Sequence, residues 1–304
     1  MAGLVDEIAE MLALPRGLQL ERAQAIRDRH AADAHPEEWN TRFGPDSLFS
    51  AWTDCPLMRP LYASNRALIT AHLADRSDWR AVEIGGGDGR LWDQLPIETP
   101  GTLVVVDPVA EVHAQVAARL PSNIRLESFV GLAQDFQGWD EVDLFVCSLT
   151  LHHVAGLSAP HRETHGLAGE GKLEILERAA AALAARQGLG ILNEADVYCE
   201  IDLAPGHPQL LDHLLDSYLR RCGKALVDAV QRQPDHPLAP RWATILHRWC
   251  LDQLAVGELP LEQRDVYELS VERWVALLES AGLKVTSLAF TDPYRLFCQY
   301  QLRA

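Results

Sequence analysis

Short apolar runs and helically spaced apolar positions take turns along this chain. The runs are Ala81–Ile84, Leu103–Val106, Ile124–Phe129, Val142–Ser148 and Gly190–Val197. Such runs predict buried strands, and apolar residues every three or four positions predict amphipathic helices. Their alternation predicts an α/β fold with a mostly parallel sheet and helices on both faces. The spacing predicts a helix over Val109–Leu120 and the start of one over Arg90–Leu95. Another is predicted over Lys172–Arg186, with Leu173, Ile175, Leu176, Ala180 and Leu183 apolar and Gly188 past its end. Ser270 caps a helix that runs to Ser280. Leu283–Thr291 reads as a sixth strand, and the alternating Tyr294–Leu302 as a seventh, an antiparallel edge strand.

Two regions depart from this alternation. Residues 1–30 read as two helices, the first with Leu4, Ile8, Met11 and Leu12 in one stripe, before His35-Pro36 breaks the pattern. Pro36–Ser50 carries Trp39, Phe43 and Phe49 among turn residues, and Pro56–Leu73 reads as a helix leading into the first strand. His207–Val230 and Arg241–Val256 read as helices on either side of a proline-rich PDHPLAP. The expected division is an N-terminal helical cap over 1–75, a core over 76–204 and 265–304, and an inserted helical lid over 205–264. A lid of this kind excludes water from a site.

Composition narrows the partners. The chain has 304 residues, 48% of them hydrophobic, which is ample for a full core. Its 43 acids against 27 bases give a formal charge of −16, a poor match to a nucleic-acid backbone. The six cysteines are scattered with no C-x-x-C pair, so neither a zinc knuckle nor a disulfide framework is signalled. A reducing cytoplasm is the expected compartment. The N-terminus does not read as a secretion signal, and no run is long and apolar enough for a membrane span.

The stretch from Ala81 to Pro108 carries the chemistry. A strand ends in Glu83 and Ile84, then Gly85, Gly86, Gly87 and Gly89 form a loop almost bare of side chains. Such a loop lets a ligand approach the backbone. Asp107 stands at the end of the next strand, where an acid can bind a ribose diol. The spacing is E-x-G-x-G-x-G over Glu83, Gly85, Gly87 and Gly89. The dinucleotide pattern G-x-G-x-x-G is not met, because position 90 is Arg. A carboxylate at the loop repels a pyrophosphate and suits a cation. With the apolar strand and polar turn of Val142–Val154, this ensemble resembles the class I S-adenosylmethionine-dependent methyltransferases, well over residues 80–200 and loosely over 270–302.

The resemblance implies a Rossmann-like, mostly parallel seven-stranded sheet and a small-molecule O- or N-methyltransferase, with secondary metabolism as the expected setting. S-adenosyl-L-methionine would be the cofactor and S-adenosyl-L-homocysteine the product. It places Glu83, Gly85, Gly86, Gly87, Gly89, Asp107 and Pro108 at the cofactor, with Ser128 and Phe129 by the adenine and Ser148 and Leu149 under the methionine part. An adenine-binding acid is commonly found near the third strand; the local acid here is Asp135. Phe129 either packs on the adenine or belongs to the core. Arg59, Tyr62 and Asn65 either touch the ligand from above or serve packing and surface. His152 and His153 are the candidate general bases, since an O or N acceptor often loses a proton; the alternative for either is a bond to a backbone carbonyl. Glu194 and Asp196 either bind a cationic acceptor or act as caps. His152, His153, His161, His165 and Glu163 lack fixed ligand spacing, so no metal is expected. A small-molecule acceptor is the expected partner, without nucleic acid or membrane, and a homodimer stays open. The alternatives are a protein or peptide methyltransferase and a catalytically silent S-adenosylmethionine-binding module.

Overall fold

The computed structural model describes residues 2–30, 44, 47–154, 169–197, 203–261 and 268–304. Contacts divide the chain into two units: residues 1–60, 201–265 and 292–296 form one, and 61–200, 266–291 and 297–304 the other.

The second unit is built on seven strands: β1 Trp79–Ile84, β2 Gly101–Asp107, β3 Ile124–Val130, β4 Leu144–Ser148, β5 Leu189–Ala195, β6 Lys284–Phe290 and β7 Phe297–Arg303. Their order is β3-β2-β1-β4-β5-β7-β6. The first five are parallel, and β7 runs antiparallel to both β5 and β6. This is the Rossmann-like, mostly parallel sheet expected from the resemblance. Strand order reverses at β1, which pairs β2 on one side and β4 on the other. Ligands of open α/β sheets bind beyond the carboxyl ends of the strands at such a reversal. Val82, Ile84, Val104, Val106, Phe145 and Leu192 form the sheet's part of the core. Ile175, Leu176, Ala179 and Leu183 from the helix Gly169–Arg186 join them, with Trp274 and Leu278 from Val271–Ser280.

Two expectations are corrected here. The last strand is not at the edge: β7 lies between β5 and β6, and β6 is the edge strand. Phe297, Cys298, Tyr300 and Leu302 are all fully buried, so both faces of β7 are apolar enough to be covered. Lys284, Ser287 and Leu288 of β6 stay exposed. Alternation alone did not tell an edge from an interior position. The helix expected over Arg90–Leu95 is a series of turns. Six residues before Pro96 are too few to repay helix nucleation. Arg90 folds back onto Asp88, and the Trp92 indole folds back onto Glu83, which together hold the turn form.

The first unit is helical. Leu4, Ile8 and Met11 of the helix Ala2–Ala13 are buried, as the stripe required. The N-terminal and inserted segments share one interior, and the Trp242 indole donates to the Ala51 carbonyl at 3.0 Å. Each inserted helix is interrupted by a π segment. Leu215–Gly223 separates Pro208–Leu214 from Lys224–Arg232, and Leu246–Leu251 lies between Ala239–Ile245 and Gln253–Val256. Residues 292–296 join this unit, with the Tyr294 hydroxyl donating to Asp228 at 2.8 Å. No helix among the described residues is long and apolar enough to cross a membrane.

Candidate functional site

The glycine turn follows β1 directly. Gly85, Gly87 and Gly89 have φ of +77°, +56° and +75°, the left-handed region that a side chain disfavours. The protein itself uses much of the bareness. A Cβ on Gly85 would lie 2.0 Å from Thr150 Oγ1, and one on Gly89 would lie 2.7 Å from Val116 Cα. The turn thus sits against the β4 turn on one side and the helix Ala110–Arg119 on the other.

Asp107 ends β2 and is 7% exposed. Its carboxylate accepts from the Val109 N–H at 2.8 Å and from the Gly86 N–H. Burial lifts its pKa while these two donors oppose the lift. A carboxylate offers about four acceptor positions, so two remain for a diol. The Gly85 N–H donates to the Val106 carbonyl at 3.0 Å, which ties the glycine turn to the strand that carries the acid. Pro108, next in the chain, is exposed.

Glu83 is not open to a ligand. It is 3% exposed, and its Oε2 accepts from the Trp92 indole at 2.8 Å. Burial pushes its carboxyl up to about 8. Asp88, also buried, is held by the Arg90 guanidinium at 2.8 Å. Both acids therefore shape the turn from within.

At the far side of β2, register sets Ser128 beside Val105, Phe129 beside Val106 and Val130 beside Asp107. Ser128 is exposed. The Phe129 ring meets Phe136 edge to face at 5.4 Å, so it packs within the protein. Val130 and Leu132 are 58% and 54% exposed, an apolar pair next to Asp107 of a kind suited to a flat ring. Leu132 was not singled out by sequence reasoning. Asp135 is exposed in a short 3-10 turn.

On the other side, β4 ends at Ser148, and Leu149 follows with φ +53°. The Ser148 hydroxyl oxygen accepts from Asn65 at 3.1 Å and from Asn193 at 3.0 Å. His152 and His153 close a 3-10 turn with ring centroids 4.1 Å apart. They differ in surroundings, since His153 is exposed and His152 is buried. His152 Nδ1 lies 2.8 Å from Glu194 Oε2, and Glu194 Oε1 accepts from the Thr150 N–H at 3.3 Å. Burial drives the two in opposite senses, His152 down to about 4 and Glu194 up to about 7. Lys172 opposes the rise of Glu194.

Lys172 and Glu268, 0% and 2% exposed, were missed in the sequence. The Lys172 ammonium donates to the Val154 carbonyl at 2.5 Å, just past the histidine turn. A signal was there: Lys172 shares the three- and four-residue spacing of Ile175, Leu176, Ala179 and Leu183, the stripe that faces the core. Glu194 is fully buried, and Asp196 accepts from the Val271 N–H at 3.0 Å, as a cap does. Tyr62 is half-buried and Asn65 fully buried in the helix Arg59–Leu73, and Arg59 is exposed. His161, Glu163 and His165 lie outside the described residues. Among the described residues no group of three or more His, Cys, Asp or Glu side chains is placed to hold a metal.

No protein-family model and no curated protein matches the chain. Among solved structures it is similar to the N-methyltransferase NodS from Bradyrhizobium japonicum WM9 in complex with S-adenosyl-L-homocysteine. That match has a TM-score of 0.46 and 13% identity over 92% of this chain and 97% of that one. It is also similar to the 1,6-didemethyltoxoflavin-N1-methyltransferase of Burkholderia thailandensis, with bound 1,6-didemethyltoxoflavin and S-adenosylhomocysteine. Here the TM-score is 0.44, with 16% identity over 93% of this chain and 88% of that one. The magnesium protoporphyrin IX methyltransferase of Synechocystis PCC 6803 gives 0.44 and 9% over 82% and 85%. A likeness of this size carries neither ligand nor reaction over to this chain.

Proposed function

We propose that this chain is an S-adenosylmethionine-dependent methyltransferase acting on an O or N atom of a small molecule. One observation carries the proposal. A glycine turn with three left-handed residues is bonded through the Gly85 N–H to the Val106 carbonyl, next to the acid that ends the neighbouring strand, beside the reversal of strand order. That acid keeps acceptor positions for the ribose hydroxyls, and the exposed Val130 and Leu132 offer an apolar bed for the adenine. Gly85, Gly86, Gly87, Gly89, Asp107 and Pro108 form this half of the site with Glu83 shaping the turn from within, Ser128 flanks the adenine with Phe129 packed behind it, and Ser148 and Leu149 lie at the amino-acid end. The bound cofactor supplies an electrophilic methyl group on a sulfonium; the protein's part is alignment and exclusion of water.

His152 is the preferred base over His153. With Glu194 ionised, its carboxylate accepts a hydrogen bond from His152 Nδ1–H, which leaves Nε2 as the accepting nitrogen. Lys172, buried nearby, favours that ionised form. A cytoplasmic location is part of the same proposal.

Titration calorimetry with S-adenosyl-L-homocysteine and with NAD tests the cofactor. Micromolar binding of the first and none of the second is expected. Tight NAD binding without the first would remove the proposal.

A further inference from the structure

A buried polar network converges on one partly exposed hydroxyl. Gln299 Nε2 donates to Asn65 Oδ1 at 2.6 Å and lies 3.4 Å from Asn193 Oδ1. The Gln299 carbonyl oxygen accepts from the Ser64 hydroxyl at 2.9 Å. Each asparagine thus has its oxygen engaged from behind, which turns both amide nitrogens toward Ser148 Oγ. Asn65 and Asn193 are 0% exposed and Gln299 4%. A core that buries three carboxamides forgoes apolar packing there, and such networks fix one geometry when every member is satisfied.

The network has a direction. A serine hydroxyl has two acceptor lone pairs and one donor. The two asparagines occupy both lone pairs of Ser148, so its O–H is left over, on the one member of the network that is not buried apart from Ser64. Ser148 lies two residues before Thr150, whose Oγ1 abuts Gly85, so a ligand seated on the glycine turn lies beside it. Of the acids at that turn, Glu83 is held protonated by burial and Asp88 is paired, so the turn offers a ligand carboxylate no counter-charge. Arg90 and Arg119 are both directed at Asp88, at 2.8 and 4.0 Å. With both guanidinium groups committed to Asp88, the cofactor's carboxylate is left to N–H and O–H donors.

We infer that Ser148 donates its hydroxyl proton to the carboxylate at the amino-acid end of the cofactor, its direction set by Asn65 and Asn193. The inference rests on the cofactor proposal above. Ser148 is then a specificity-determining residue: it selects ligands that carry the carboxylate.

The test compares the affinities of S-adenosyl-L-homocysteine and its decarboxylated analogue, which keeps the adenosine, the sulfur and the amine. The wild type should prefer the carboxylate-bearing ligand by about tenfold, the size of one hydrogen bond to a charged group. Ser148→Ala should erase that preference while leaving the analogue's affinity unchanged, and Ser148→Thr should restore it. If Ser148→Ala does not fold, Ser148→Cys, a weak donor of similar size, takes its place with the same expectation. An equal loss for both ligands would make the hydroxyl a packing element and overturn the inference, as would no loss for either. A wild type that binds neither ligand would instead bring down the cofactor proposal itself.

Discussion

Glu83→Gln isolates one buried carboxyl. Burial holds Glu83 at about 8 in the folded chain, against 4.5 ordinarily. The unfolded chain therefore releases this proton first, and folding must retain or recapture it. Stability falls as pH rises from 4.5 to 8, because the folded state binds the extra proton over that window. By linkage the cost is about 1 kcal/mol at pH 5 and about 3 kcal/mol at pH 7. Gln is neutral throughout and still offers the Trp92 indole a carbonyl oxygen. The variant should match the wild type near pH 4 and exceed it by about 3 kcal/mol at pH 7. Denaturant unfolding at half-unit steps from pH 4 to 8 measures the difference. Asp107 and Glu194 contribute to both proteins and cancel. A flat difference across the series would mean that Glu83 ionises as it does in water, and that the Trp92 contact does not seal it.

Three further outcomes are expected. Gly85→Ala should lower stability by about 2 kcal/mol, from its positive φ and the Thr150 contact, and Thr150→Ala should recover part of this; an unchanged denaturation midpoint would contradict the packing described. Lys172→Met removes the ammonium that holds down Glu194, which sits at about 7 in the folded chain, so its stability deficit should widen only as pH passes 7, by about 1 kcal/mol at pH 8; a deficit independent of pH would assign Lys172 to packing alone. Asp107→Ala should weaken S-adenosyl-L-homocysteine binding by about tenfold or more, while His153→Ala changes it little; equal losses would end the division of roles between them.

The parallel half of the sheet was legible because buried parallel strands read as continuous apolar runs, and β1, β2, β4 and β5 do so. The glycine turn and Asp107 were legible because few other arrangements place bare backbone before an acid at a strand end. The reason for the glycines was only half legible: Thr150 and Val116, far away in sequence, are what press on Gly85 and Gly89. The turn over Arg90–Gln94 was missed because it depends on Glu83 and Asp88 as partners, which spacing does not report. The convergence on Ser148 was hidden for the same reason, since Asn65, Asn193 and Gln299 come from three separate elements.

The place of β7 has a consequence for how the chain is made. It follows every other strand in sequence, yet it fills the gap between β5 and β6. As the polypeptide leaves the ribosome, one flank of β5 has no ladder partner until Phe297–Arg303 arrives. The nascent protein thus exposes a raw hydrogen-bonding rim, beside apolar side chains, over about the hundred residues that separate β5 from β7. Such rims invite pairing with other chains. Sheet closure would come late and in one step, so conditions that slow translation or release should raise aggregation more than their effect on the finished protein's stability would suggest.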